Sequence, residues 1–167
     1  MHPTQPIEIL DAVAIRQKVN RMAYQVYENN YGEAELLICG IAERGFLLAE
    51  KIHKTLLEIA DFKLQLAKVS VDKNSPNSEG VHINPPFVGM ENKVVILCDD
   101  VLYSGRTLAY ASVPILNAGV KKLQCLVLIH RNHLHFPIQP TYIGMQLATT
   151  LQENVEVDFA NEKVTLV

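Results

Sequence analysis

Two adjacent carboxylates, Asp99 and Asp100, close the apolar run Val94-Val95-Ile96-Leu97-Cys98, and Val101, Leu102, Tyr103, Ser104, Gly105, Arg106 and Thr107 follow directly. An apolar run of this kind reads as a strand buried on both faces, and acids at its C-terminal end face the crevice where α/β proteins bind ligands. The turn from Tyr103 to Thr107 opens a helix. It gathers backbone N–H groups, the Ser104 and Thr107 hydroxyls and the positive helix end around one point, which suits a phosphate dianion. Gly105 permits close backbone approach. A plain strand-to-helix turn with an acidic cap leaves the paired acids beside a hydroxyl-rich anion nest unexplained. A second candidate is Ala42-Glu43-Arg44-Gly45, which ends another apolar run and offers Arg44 and exposed amides to a strongly anionic group. Taken alone, an arginine after a strand is more often a solvated surface residue, so this segment draws its meaning from the first. His130, His133 and His135 alternate along an extended stretch with no carboxylate or thiol adjacent, which does not point to a dedicated metal site.

The elements that must hold these residues follow from periodicity. Val13, Val19, Met22, Ala23 and Val26 recur at helical spacing, predicting a helix over Ala12 to Tyr27 with Asp11 as N-cap and Gly32 beyond its end. Leu36 to Ile41 predicts a buried strand, Gly45 to Leu57 a helix, and Phe62 to Val71 a second strand. Asp72 to Lys93, rich in Pro, Gly, Asn and Ser, predicts a long binding loop or lid. Lys93 to Cys98 is a third strand, Arg106 to Asn117 a helix closed by Gly119, and Lys122 to Ile129 a fourth strand. Tyr142 to Gly144 reads as a short fifth strand, and Val155 to Phe159 with Lys163 to Leu166 as a strand pair around Asn161-Glu162. The β-α-β alternation predicts an α/β protein with a doubly wound, mainly parallel sheet and flanking helices, formed by residues 1–167 as one domain.

The chain has 167 residues, 49% hydrophobic and 20% charged, and no apolar run approaches the roughly 18 residues needed to span a bilayer. Its start, Met1-His2-Pro3-Thr4-Gln5-Pro6, has neither the basic segment nor the apolar centre of a signal peptide, so a cytoplasmic location is expected. Cys39, Cys98 and Cys125 each lie inside an apolar run, as buried thiols in a reducing compartment would. A formal net charge of −3 with no Lys/Arg-rich stretch disfavours a nucleic-acid partner.

The segment from Val94 to Thr107 resembles the 5-phosphoribosyl-1-pyrophosphate (PRPP) signature of type I phosphoribosyltransferases, and DDVLYSGRT is especially similar to the PyrR group. Ile9-Leu10-Asp11, Ala14-Ile15-Arg16, Gly40 to Gly45 with Leu48-Ala49, and Arg131, His133, Pro137-Ile138 and Tyr142-Ile143-Gly144 fall in the order of their PyrR-like counterparts. The resemblance implies the type I phosphoribosyltransferase fold with a small C-terminal hood. It implies transfer of the phosphoribosyl group from PRPP to a nucleobase, most plausibly uracil, with release of pyrophosphate and with Mg²⁺ held through PRPP near Asp99 and Asp100 rather than by a set of protein ligands. Asp99, Asp100 and Arg44 would be catalytic, Val101 to Thr107 would hold PRPP, and Ala42, Glu43, Arg44 and Gly45 would take the pyrophosphate. His130, Arg131, Tyr142 and Ile143 would border the base, although Tyr142, Ile143 and Leu147 suit the core equally well. A homodimer or larger homo-oligomer is implied. PyrR proteins also regulate pyrimidine operons by binding attenuator RNA, so a nucleotide-sensing RNA regulator, or a PRPP- or nucleotide-binding protein without efficient turnover, are the alternatives.

Two departures bear on these expectations. Where PyrR-like chains carry Tyr-Arg-Asp-Asp before the lid, this one has Ser70-Val71-Asp72-Lys73, so the lid arginine is absent and Lys73, beside Asp72, is left to supply a charge. Basic positions used for RNA appear as Gln17, Tyr24, Leu134 and Met145, leaving mainly Arg16, Arg21 and Arg131. RNA is therefore not an expected partner, nor is a membrane.

Overall fold

The structure, a computed structural model, describes residues 5–72, 74 and 80–167. Its centre is made by the two most continuously apolar segments, β2 (Glu35–Ile41) and β5 (Val94–Leu102), paired in parallel from Leu36 with Val94 to Gly40 with Cys98. The side chains of a strand alternate between faces, so Leu36 and Ile38 join Val94 and Ile96 on one side while Leu37 and Cys39 join Val95 and Leu97 on the other. Each face needs a cover. At roughly 1.5–3 kcal/mol for every buried Leu, Ile or Val side chain, that cover is the main stabilising term. Helices α1 (Ala12–Asn29) and α2 (Ala42–Ile59) bury Met22, Val26, Leu48 and Ile52 on the first face, and α3 (Arg106–Asn117) buries Leu108, Ala111 and Ile115 on the second. The Asp11 carboxylate accepts the Ala14 N–H at 2.8 Å, the N-cap that starts α1.

Outward from the centre lie β3 (Lys63–Val71) beside β2, and β6 (Lys122–Arg131) then β7 (Tyr142–Leu147) beside β5, all parallel. The sheet is doubly wound and mostly parallel, as the alternation predicts. Its outer strand beyond β3 is a departure: β4 (Val81–Asn84) pairs antiparallel with β3, matching Val71 to Val81 and Ser70 to His82. The predicted loop from Asp72 to Lys93 therefore contains a four-residue edge strand, too short and too closely bounded by Gly80 and Pro85 to show a period. Val71 is thereby built into the sheet and packs against the apolar cluster under α3.

The hood also differs from expectation. It is a three-stranded antiparallel sheet in the order β1, β9, β8, so β8 (Val155–Asp158) and β9 (Lys163–Leu166) are completed by β1 (Ile7–Leu10) from the other end of the chain. A two-stranded hairpin alone is marginal in water, and the third strand covers one edge of β9. Among the described residues no helix is long and apolar enough to cross a membrane. All three cysteines are free and buried, and burial, followed by the nearby charge of Asp99, pushes the Cys125 thiol up to about 11.

One polar cluster pins α1 to the sheet. The Asn30 side-chain amide donates to Val26 O and Gln124 Oε1, both at 2.9 Å, Lys122 Nζ donates to Asn30 Oδ1 at 2.9 Å, and the Tyr142 hydroxyl donates to Gln124 Oε1 at 3.0 Å. Tyr142 is 1% exposed and packs in the core, the second of its two readings. Tyr142→Phe should cost about 1 kcal/mol, and Asn30→Ala, which strands several buried groups, about 1–3 kcal/mol, read as lowered urea midpoints.

Candidate functional site

After β2 the chain crosses through α2 to β3 on one side; after β5 it crosses through α3 to β6 on the other, over the opposite face. The C-terminal ends of β2 and β5 thus lie side by side at the point where the strand order reverses, the position at which open α/β sheets leave a ligand crevice. Both sequence candidates stand there.

Backbone contact fixes their spacing. A Cβ on Gly40 would lie 2.2 Å from the carbonyl oxygen of Gly45, and a Cβ on Gly45 would lie 2.8 Å from that of Cys98 and 3.4 Å from Asp99 Oδ1. No other residue type fits at either place without displacing backbone. Ala42 to Gly45 form the first turn of α2, which begins three residues before the predicted helix and is entered through Ala42 at φ +53°, a left-handed conformation that costs an alanine roughly 1–2 kcal/mol. No side chain caps this turn, so its N–H groups face the crevice. Arg44 is exposed in it, and Glu43, also exposed, is ion-paired with Lys68 of β3. Lys68 is the functional candidate that sequence reasoning missed: it pairs in register with Gly40, and its one signal was a lysine set between Ala67 and Val69 in a strand that elsewhere alternates polar and apolar residues.

On the other side, β5 runs on past Cys98 through both acids to Leu102. Asp99 Oδ1 accepts the Asp100 N–H at 3.0 Å, and both acids are half-buried. The turn then tightens, with Ser104 Oγ accepting the Arg106 N–H at 3.3 Å and Gly105 at φ +81°, and α3 also begins without a side-chain cap. Asp99 and the continuous stretch from Val101 to Leu108 line a cavity of about 210 Å³. Arg106 is exposed over the Tyr110 ring, 5.3 Å from its centre.

Arg131 is held within the fold. It is 5% exposed, with its guanidinium 4.4 Å from the centre of the Tyr103 ring, and it donates to Thr149 Oγ1 at 2.8 Å, to Thr150 O at 3.2 Å and to Glu153 O. It ties the turn after β5 to the approach to the hood. His133 Nε2 contacts Thr149 O at 2.8 Å, its ring packs on Tyr103, and His135 donates its backbone N–H to Ser104 O at 2.9 Å. The histidines diverge, and among the described residues no group of three His, Cys, Asp or Glu is placed to hold a metal. His130 and Ile143 do share a second cavity, of about 540 Å³. Of the lid residues, Asp72 is exposed, with Oδ1 accepting the Asn74 N–H at 2.9 Å, while Lys73 lies outside the described residues.

A family model described as "Phosphoribosyl transferase domain" matches residues 7–160. The bifunctional protein PyrR of Listeria monocytogenes serotype 4b is 34% identical over 171 residues, covering 94% of this chain and 93% of that protein, and the PyrR of Latilactobacillus sakei is 32% identical over 159 residues, covering 90% and 89%. Among solved structures, a hypoxanthine phosphoribosyltransferase of Trypanosoma cruzi superposes with a TM-score of 0.75 at 13% identity over 95% of this chain and 94% of that one. One from Staphylococcus aureus gives 0.72 at 20% identity over 87% and 80%.

The glycine stack yields a direct test. Gly45→Ala should lower stability by about 1–3 kcal/mol, since the added carbon must push β5 backbone aside, and Gly40→Ala should be at least as damaging; chemical denaturation checks both.

Proposed function

The chain belongs to the phosphoribosyl transferase family and is a phosphoribosyltransferase, and from that premise we propose that it moves the phosphoribosyl group of PRPP onto a nucleobase, uracil foremost, releasing pyrophosphate. The observation that carries this reading is the pairing, at one switch point, of two uncapped helix starts with an acid pair between them. The turn from Val101 to Thr107 receives the 5-phosphate on its N–H groups and hydroxyls, and Ala42 to Gly45 with Arg44 receives the pyrophosphate. Asp99 and Asp100 face the ribose between them.

In the transfer a base nitrogen bonds to the anomeric carbon as the bond from that carbon to the pyrophosphate oxygen breaks, the electron pair leaving with the oxygen. Positive charge grows on the sugar, and the two carboxylates oppose its cost in a half-buried site where charges are poorly screened. With two carboxylates and no fuller ligand set among the described residues, the site fits Mg²⁺, which keeps waters and substrate phosphate oxygens in its shell and is bound through one or two carboxylates. Mg²⁺ would neutralise charge on the departing pyrophosphate. Lys68, beside the pyrophosphate turn, takes the charge-stabilising part that the resemblance gave to a lid arginine, since Val71 is packed into the sheet.

RNA binding is not part of this reading. Arg21 donates to the Ile143 and Gly144 carbonyls at 3.1 and 2.6 Å, and Arg131 is buried, so two of the three basic residues left for RNA are occupied within the fold.

PRPP with Mg²⁺ should raise the thermal midpoint, because a ligand that binds only the folded form stabilises it by mass action, and Asp100→Asn should shrink the shift. Calorimetry with no binding at millimolar PRPP would remove the assignment. In steady-state assays Lys68→Ala should lower turnover on the order of 10²-fold with a smaller change in PRPP affinity, and Lys68→Arg should retain most of the rate. Equal losses in turnover and affinity would instead place Lys68 in ground-state binding.

A further inference from the structure

Tyr27, Tyr31 and Phe62 line a cavity of about 290 Å³. Tyr31 meets Tyr27 edge-on, with ring centres 6.1 Å apart and planes at 87°, and Phe62 tilts against the same Tyr27 ring at 6.0 Å and 41°. Tyr31 is 79% exposed, so burial gives its ring little reason to stand there. The cavity also includes Ala34 and Asp61, which with Phe62 immediately precede β2 and β3. It therefore opens at the N-terminal ends of the strands whose C-terminal ends form the crevice, roughly 20 Å away along β2.

The charge around it has one sign. Asp61 and Glu33 line the cavity and no cationic side chain does. Glu33 is engaged by Lys121 and Lys122 at 2.9 and 3.6 Å, neither of which lines the cavity, whereas Asp61 is exposed and has no hydrogen bond or ion pair among the described residues. The helix ends add to this. Tyr27 lies in the last turn of α1 and Asp61 just past the end of α2, and those last turns contain Glu28 and Glu58 but no basic residue. A helix C-terminus carries partial negative charge and is stabilised by cations, so carboxylates there oppose the fold. A bound cation would relieve that opposition.

The rings decide which cation. Metal ions hold their waters or oxygen ligands tightly and gain little from a ring face, and no group of three His, Cys, Asp or Glu is gathered to hold one among the described residues. An alkylated ammonium is weakly hydrated and partly apolar, so it gains from the negative faces of the rings and from contact with their carbon surface. We propose that this cavity binds an alkylammonium group, its carbons against Tyr27, Tyr31 and Phe62 and its charge toward Asp61. The site is separate from the transfer crevice and does not rest on the reading of that crevice.

The test is ligand-observed NMR with the whole chain. It compares choline with its neutral carbon isostere, in which a tert-butyl group replaces the trimethylammonium, and with a short peptide bearing trimethyllysine. The tighter of the two cations tells whether the ammonium arrives free or on a side chain. Choline or the peptide should bind in the millimolar range or below, and the neutral isostere several-fold more weakly. Tyr31→Leu, at a position too exposed to matter for folding, should weaken cation binding about 2-fold to 30-fold, the range for one lost cation–π contact, and Tyr31→Phe should retain it. Asp61→Asn should weaken binding and make it less sensitive to added NaCl, because an exposed charge is screened by salt. Equal binding of choline and its neutral isostere overturns the proposal, as does a Tyr31→Phe protein that loses as much as Tyr31→Leu. Absence of binding by both cations at tens of millimolar overturns it as well.

Discussion

The carbonyl oxygens of Gly45 and Cys98 lie where the side chains of Gly40 and Gly45 would begin, so three backbone segments from β2, α2 and β5 touch with nothing between them. Side-chain packing leaves room for adjustment through rotamers; backbone packing leaves almost none. The distance between the two uncapped helix starts is therefore set by the central strand pair, the most deeply buried part of the molecule. A reaction in which one group is held while another departs needs such fixed spacing, because misplacement of about 1 Å can cost on the order of 10²-fold in rate.

Around this frame the cations divide between structure and crevice. Arg21 is bonded to carbonyls of β7, Arg131 is locked between the Tyr103 ring and residues 149–153, and Lys93 pairs with Glu35 at 2.6 Å. Arg44 and Arg106 stay exposed in the two helix-opening turns, and Lys68 is held to one of them by Glu43. An exposed ion pair such as Lys68 with Glu43 is worth little to stability, which leaves its lysine cheap to redirect toward an incoming anion.

Buried polar groups divide in the same way. Asn30, Gln124, Lys122 and Tyr142 satisfy one another and hold α1 to β6 and β7. His130, paired in register with Leu102 before the turn into α3, is buried with no hydrogen-bond partner for its nitrogens among the described residues. The first arrangement stabilises the fold, while the second opposes it, and conflicts of that kind are expected where a protein meets a ligand.

The amino-acid sequence by itself determined the alternation of strands and helices, the acid pair at the end of β5 and the glycine-bearing turn behind it, because these are local: continuous apolar runs, helical spacing and a hydroxyl-rich turn are each complete within about a dozen residues. It did not disclose β1 or β4, four-residue strands that exist only because β9 and β3 offer them an edge. It left Tyr142 between pocket and core, and only its network with residues on α1 and β6 decides for the core. The resemblance implied a place for Arg131 beside the base, and only the fold shows it stacked on Tyr103 and bonded across to residues 149–153, tying turn to hood. Lys68 gave no sign of its meeting with Glu43, since a register between neighbouring strands and a helix start sets that contact. Local chemistry is written along the chain, but which distant groups meet, and which buried nitrogen stays unpaired, is settled only when the sheet brings segments dozens of residues apart to the same depth.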